Sequence, residues 1–437
     1  MKFHEILLMA QLVSFLGIFE RIRKVVLVTL PLFLAWFGYI SSDYTAYLIG
    51  KFGVMVGMDD FSRSLIVVSS LMFAVIFIEN IREKIDFSQY FFFITSALIL
   101  NFIFISKDFF NIYILLEVLS ILAVLMMMKA ADKKKLWTSL KYLLIGNVGA
   151  NIYLLGVLIY YLHTGNFHVV KNGDVPSIAL NLMILGLLVR TGVFGFGMWL
   201  PQFHSNADKV LSAMFSGIFI NGGIYALKLI NDIKSVSYMI FLGISLSLAA
   251  AILGFFSKDV KRAIALSTMN HLGIMIMNLV NPSLYITAHS IAKTLLFLES
   301  DNLKKEEIDI STWLVSLIAI ASLSGFPMTL GFKAEHALTK NFPLYLALLV
   351  STSNVIIGAS LFKFIWKKVK KGFNGLIIVS LSLVHITSFE FLTVALVFVT
   401  LALSLFKPRK TIYLPIESMD INLLFVLGAA VVILWLS

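Results

Sequence analysis

The chain has 437 residues, 59% of them hydrophobic and 14% charged, with a mean hydropathy of +0.94 and a formal net charge of +11 at pH 7. That composition excludes a water-soluble globule. The absence of cysteine excludes disulfides, thiolate-bound Fe–S clusters and c-type haem attachment in this chain, so any electron chemistry belongs to partners.

Met1 to Glu5 lead into an apolar run ending at Phe19, with no small-residue cleavage site before Arg21, Arg23 and Lys24. The run is read as an uncleaved first helix, over about 5–19. A crossing needs about 20 apolar residues. Further stretches of that kind follow at 24–41, 62–79, 88–105, 109–128, 136–161, 178–200, 209–230, 236–256, 262–280, 283–298, 312–339, 343–366, 374–387, 389–406 and 421–437. The region 374–406 is long for one crossing and short for two, so 14–16 transmembrane helices are expected. The fold class is an all-α polytopic membrane protein, and 1–437 is one transmembrane domain with no soluble insert.

Lys and Arg accumulate in short cytoplasmic loops. Loops after odd-numbered segments hold Arg21, Arg23 and Lys24; Arg82 and Lys84; Lys129 and Lys133 to Lys135; Lys258, Lys261 and Arg262; Lys304 and Lys305; and Lys367, Lys368, Lys370 and Lys371. Loops after even-numbered segments hold mainly Lys51, Lys107, Lys171, Lys234 and Lys340. The amino terminus is therefore expected outside a multi-pass cell-membrane protein. The net charge is explained by cytoplasmic loops beside anionic lipid, without nucleic acid. Lys407, Arg409 and Lys410 fall inside only with sixteen segments.

Two segments carry the same interruption. LLVRTGVFGFGMWLP holds Gly192, Gly195, Gly197 and Pro201; SLSGFPMTLGFKAEH holds Gly325, Pro327 and Gly331. Each is expected to be a broken helix, the kind of element that places an ion site near the midplane of a transporter. Among the ionisable residues within the apolar stretches, seven stand out: Glu117, Lys141, Arg190, His271, His289, Lys293 and Glu335. A charge in hydrocarbon costs at least about 2.5 kcal/mol, so such groups face a bundle interior or a wet cavity, and an ion path is the leading reading. His289 and Lys293 are four apart and share a helix face. Glu117 also fits a buried packing carboxylate, Lys141 a lysine reaching the cytoplasmic interface, and His271 a histidine satisfied by a backbone carbonyl. Spacing leaves open whether Lys333 or Glu335 faces the path.

Five runs carry a family resemblance: SLKYLLIGNVGANIYLLGVLIYY from Ser139, WLPQFHSNADKVLSAMFSGIFINGGIYALK from Trp199, DVKRAIALSTMNHLG from Asp259, HSIAKTLLF from His289 and SGFPMTLGFKAEH from Ser324. Together, in this order, they resemble the antiporter-like subunits of respiratory complex I, Mrp-type sodium/proton antiporters and membrane-bound hydrogenases. The resemblance covers about Asp59 to Trp366. It implies two inverted repeats, each with a broken helix, here in 88–230 and 236–366, between N-terminal helices in 1–87 and C-terminal helices in 374–437. It also implies a line of charged residues along the midplane: Glu117 paired with the neighbouring broken helix, Lys141 as a carrier, His289 and Lys293 as the relay to the middle of the subunit, and Glu335 after the second break.

Departures from the family fall in the amino-terminal half. Arg190 stands where the first broken helix usually carries lysine, Asn221 where the next helix carries a second lysine, and Gly195 and Gly197 replace a proline and a histidine. A guanidinium does not release its proton in a protein and an amide does not titrate. This half is therefore expected to act as a fixed-field or structural element, with the carboxy-terminal half better equipped for proton hopping.

The resemblance implies a subunit of a multi-subunit energy-converting redox complex, coupling electron transfer in partners to proton or sodium translocation. The chain is not an enzyme by itself and holds no cofactor. The implied partners are other membrane subunits, antiporter-like paralogues among them, and hydrophilic subunits with Fe–S clusters, all beside the lipid bilayer. Alternatives are a degenerate structural paralogue, a subunit of an Mrp-type antiporter, a stand-alone solute carrier, and, in a different class, a haem protein using His271 and His289.

Overall fold

The structure is a computed structural model that describes residues 2–48, 53–81, 83–128, 132–170, 174–372, 374–384, 399–405 and 411–436. Lys51, Arg82, Lys129, Lys171, Lys407, Arg409 and Lys410 lie outside the described residues, as does the centre of the stretch expected to cross at 374–406.

The chain is all-α, and its helices follow in order as α1 (Phe3–Ser14), α2 (Glu20–Ile40), α3 (Asp60–Glu79), α4 (Phe87–Ile105), α5 (Phe109–Met128), α6 (Lys133–Thr164), α7 (Ser177–Thr191), α8 (Leu200–Asn206), α9 (Lys209–Met214), α10 (Ile220–Ile233), α11 (Tyr238–Phe255), α12 (Val260–Met277), α13 (Ser283–Leu298), α14 (Ile310–Leu323), α15 (Leu330–Thr339), α16 (Leu344–Phe362), the short α17 (Leu376–Ser380) and α18 (Met419–Leu436). A π turn, Phe215–Phe219, joins α9 to α10 in one run of helix. Among the described residues eight helices are long and apolar enough to cross a membrane, and five more are apolar but shorter. The chain is a multi-pass membrane protein. Strands are confined to loops: β1 (Tyr44–Tyr47) pairs antiparallel with β2 (Met55–Met58), and β3 (Glu307–Asp309) pairs parallel with β4 (Lys368–Lys370).

Local sequence fixes the helix starts. Asp59, Asp86, Asp208 and Asp259 each accept a backbone N–H three residues on, capping α3, α4, α9 and α12. Two compact units result, one of residues 1–191, 218–236 and 423–437, the other of 192–217 and 237–422. In the first, α6 and α7 touch through glycine: a Cβ on Gly186 would lie 2.4 Å from the Gly149 carbonyl oxygen. In the second, α11 and α12 do the same, with a Cβ on Gly243 falling 2.5 Å from the Gly273 carbonyl oxygen. Small residues let helix backbones approach where hydrocarbon solvent supplies no hydrophobic drive.

Both interruptions expected from sequence are present. α7 stops at Thr191, and the chain turns through Gly192 (φ 82°) and Gly195 (φ 80°) before α8. α14 stops at Leu323, and Gly325 (φ 67°) and Met328 (φ 65°) carry the chain to Thr329, which caps α15 through the Phe332 N–H. Positive φ at glycine is the low-cost way to reverse a helix.

Candidate functional site

In the first unit the charged centre lies where α5, α6 and α7 meet. Arg190, in the last turn of α7 and 8% exposed, donates to a Glu117 carboxylate oxygen and to the Leu116 carbonyl, both on α5. It also reaches the Gly146 carbonyl of α6 at 3.4 Å. Asn147, with its amide turned to pair donor with acceptor, gives Glu117 Oε2 a further hydrogen bond at 3.3 Å. Lys141 is buried in α6 at 3% exposure. Asn221 is fully buried in α10.

The second unit holds the other ionisable residues. His271 of α12, His289 of α13 and Glu335 of α15 line one narrow cavity with Tyr285, Ser322, Gly331 and Asn354. It has room for about one water molecule. The Tyr285 hydroxyl lies 2.8 Å from His271 Nδ1, and the two imidazoles are 5.6 Å apart between centroids. His271 Nε2 and both ring nitrogens of His289 have no hydrogen-bond partner among the described residues. Buried polar atoms without a protein partner are uncommon.

Glu335, and not Lys333, faces this cavity. Lys333 is exposed, and Glu335 accepts hydrogen bonds from Ser351 Oγ and Asn354 Nδ2, each at 2.7 Å. The helix break brings backbone against the carboxylate: a Cβ on Gly325 would lie 2.3 Å from Glu335 Oε2. His336 is exposed and outside the cavity. One turn of α13 beyond His289, Lys293 is fully buried and donates to Ser267 Oγ and, at 3.1 Å, to the Ile264 carbonyl of α12.

Thus the structure gathers Glu117 with Arg190 in one unit, and His271, His289 and Glu335 with adjacent Lys293 in the other. Sequence reading missed Tyr285, Ser351 and Asn354. The last two lie three apart on α16, so they share a face, a polar pair in an apolar helix that was the available signal. It also missed His204 on α8, which is fully buried with neither ring nitrogen hydrogen-bonded among the described residues.

Comparison with known proteins places these residues in context. Residues 106–359, more than half of the chain, match the family described as NADH:quinone oxidoreductase/Mrp antiporter, TM. The chain is 27% identical over 330 residues to a Na(+)/H(+) antiporter subunit of Alkalihalophilus pseudofirmus, covering 66% of each chain. It spans less than two thirds of the length of the curated relatives it matches. Its fold is that of a chain in the membrane-bound sulfane sulfur reductase, an archaeal respiratory membrane complex (TM-score 0.73, 19% identity, 98% of this chain and 97% of that one). It also matches a chain of the Mrp complex from Dietzia sp. DQ12-45-1b (TM-score 0.74, 16% identity, 98% and 92%).

Proposed function

The chain belongs to the NADH:quinone oxidoreductase/Mrp antiporter transmembrane family, and from that premise we propose that it is an antiporter-like membrane subunit of a multi-subunit energy-converting complex. In this reading it couples electron transfer in Fe–S-bearing partner subunits to proton translocation across the cell membrane, with its amino terminus outside and antiporter-like paralogues as neighbours. The chain itself catalyses no redox step.

One observation carries the reading: His271, His289 and Glu335 converge on a single narrow cavity, with fully buried Lys293 one helical turn from His289. Every member of that set is a side chain that can both take up and release a proton, which is what proton hopping requires. A cavity with room for about one water suits a proton passed between side chains better than a hydrated sodium ion. Arg190, bound to Glu117 and to two backbone carbonyls, supports a second component, in which the first unit contributes a fixed charge and the second unit conducts.

The test is proton uptake into liposomes carrying the complex purified by a tag on this chain. Lys293→Met and Glu335→Gln are expected to abolish uptake while leaving subunit composition unchanged. Uptake at the wild-type rate in both would remove the reading. Mass spectrometry of the same preparation decides the parent: Fe–S subunits support a redox-driven pump, small membrane subunits alone an Mrp-type antiporter. Sodium-dependent uptake would replace the proton as the coupled ion.

A further inference from the structure

The relay cavity in the second unit is buried, and a proton needs a way in from the aqueous side. We propose that Asp301, Lys261 and His204 form that uptake route, delivering protons to Lys293. The proposal rests on the reading of Lys293 as a relay residue.

Its outer end is Asp301, in the loop after α13. Its side chain is 51% exposed, and its carboxylate lies 3.4 Å from Lys261 Nζ and 3.2 Å from Lys304 Nζ. The loop belongs to the basic end of this unit, with Lys304, Lys305, Lys367, Lys368 and Lys370, the end that loop charge assigns to the cytoplasm. Lys261, in the first turn of α12, has a side chain only 4% exposed and donates to the Ala207 carbonyl at 2.8 Å. That carbonyl sits just past the end of α8, where a cation meets the negative end of the helix. Lys261 thus connects a wet carboxylate to the interior.

His204 lies three residues before Ala207. Its ring stacks on Phe297 of α13 at 4.5 Å between centroids and 24° between planes. It is fully buried, and neither nitrogen has a hydrogen-bond partner among the described residues; Lys261 holds the carbonyl three residues after it, and Phe297, on which it stacks, lies one turn from Lys293 on the same face of α13. A histidine wanted only as an aromatic filler would be better replaced by phenylalanine, because burying an unpaired imidazole nitrogen costs free energy that a phenyl ring does not. Asp208 and Lys304 are the other charged groups acting on Lys261. Next to it, Arg262 is ion-paired to Glu417 at 2.6 Å and is outside the route, since a guanidinium holds its proton.

The transfer balances without a co-reactant. The Lys261 ammonium gives a proton to one nitrogen of His204 and is reprotonated from water through Asp301. His204 releases the proton on its other nitrogen to neutral Lys293, which has passed its own proton toward His289. Lys261 and Lys293 are then protonated again, and His204, left as the opposite tautomer, is reset by a flip of its ring before the next proton.

The experiment is proton uptake by the reconstituted complex with His204→Phe, which keeps the stack on Phe297 and removes both nitrogens. Uptake is expected to fall at least tenfold with subunit composition intact. Lys261→Met is expected to do the same, and Asp301→Asn, on the half-exposed loop, to slow uptake several-fold. Wild-type uptake in His204→Phe while Lys293→Met is blocked overturns the route and spares the relay; wild-type uptake in Lys293→Met as well overturns the relay beneath it. Should His204→Phe not assemble, wild-type uptake in both Lys261→Met and Asp301→Asn overturns the route.

Discussion

Arg190 on α7 holds Glu117 on α5, and the same guanidinium also donates to the Leu116 and Gly146 carbonyls, so the cation is tied to two neighbouring helices at once. A lysine has three donors on a flexible stem and can leave its partner; a planar guanidinium engaged on several acceptors cannot do so without stranding buried carbonyls. The pair therefore behaves as a clamp.

The first prediction concerns stability. Arg190→Met leaves Glu117 without its cation in a mostly buried site and is expected to cost about 3 kcal/mol, read as a lower unfolding temperature of the complex in detergent. Arg190→Lys is expected to cost less than Arg190→Met.

A second prediction concerns conduction by the same half. The double change Arg190→Lys with Asn221→Lys restores titratable groups at both departures from the family pattern. A higher ratio of protons to electrons in the reconstituted complex is expected; an unchanged ratio would show that the first unit is silent for another reason.

Third, Gly325→Ala is expected to impair transport without touching a titratable group. The backbone there is at φ 67°, where a Cβ costs about 1–2 kcal/mol, and the new Cβ would lie 2.3 Å from Glu335 Oε2. Asn354→Ala removes one of the two side chains donating to the same carboxylate. It is expected to slow proton uptake more than Thr352→Ala, which alters an exposed residue of α16.

A fourth prediction is a pH dependence outside the spans. Burial pushes the Asp59 carboxyl up, and the Lys107 ammonium with hydrogen bonds from Lys107 and Ser62 outweighs that, holding it below the usual carboxylate value. A depressed carboxyl contributes stability that is present above its unfolded value of about 3.9 and is lost as pH falls through the folded value. Unfolding temperature is expected to fall below about pH 4, and Asp59→Asn, which keeps the cap on α3, is expected to weaken that part of the fall. An identical acid profile in the variant would assign the loss to other carboxylates.

Much of the fold was legible in the sequence. The stretches expected at 62–79, 88–105, 109–128 and 283–298 match α3, α4, α5 and α13 within two residues, because an apolar run bounded by a capping aspartate or a polar loop is a local signal. Both helix breaks were legible too, from glycines clustered in otherwise apolar runs, which the backbone uses at positive φ. Asn354 and Ser351 were not, since a polar side chain on an apolar helix reads the same whether it packs or cradles a carboxylate. His204 was passed over within a quoted motif for the same reason.

By itself the sequence determined that this chain is a membrane protein, where many of its apolar helices lie, where two of them break and which ionisable residues fall within apolar stretches. All of these follow from hydropathy and backbone preference over neighbouring residues, and desolvation makes each buried charge conspicuous. Only the tertiary structure decided which charges meet. Glu117 and Arg190 are 73 positions apart and Asn354 and Glu335 are 19 apart, and His271, His289 and Glu335 come from three different helices. Their convergence depends on how helices pack and on a glycine that lets backbone pass within reach of a carboxylate, relations between distant positions that no stretch of sequence carries alone.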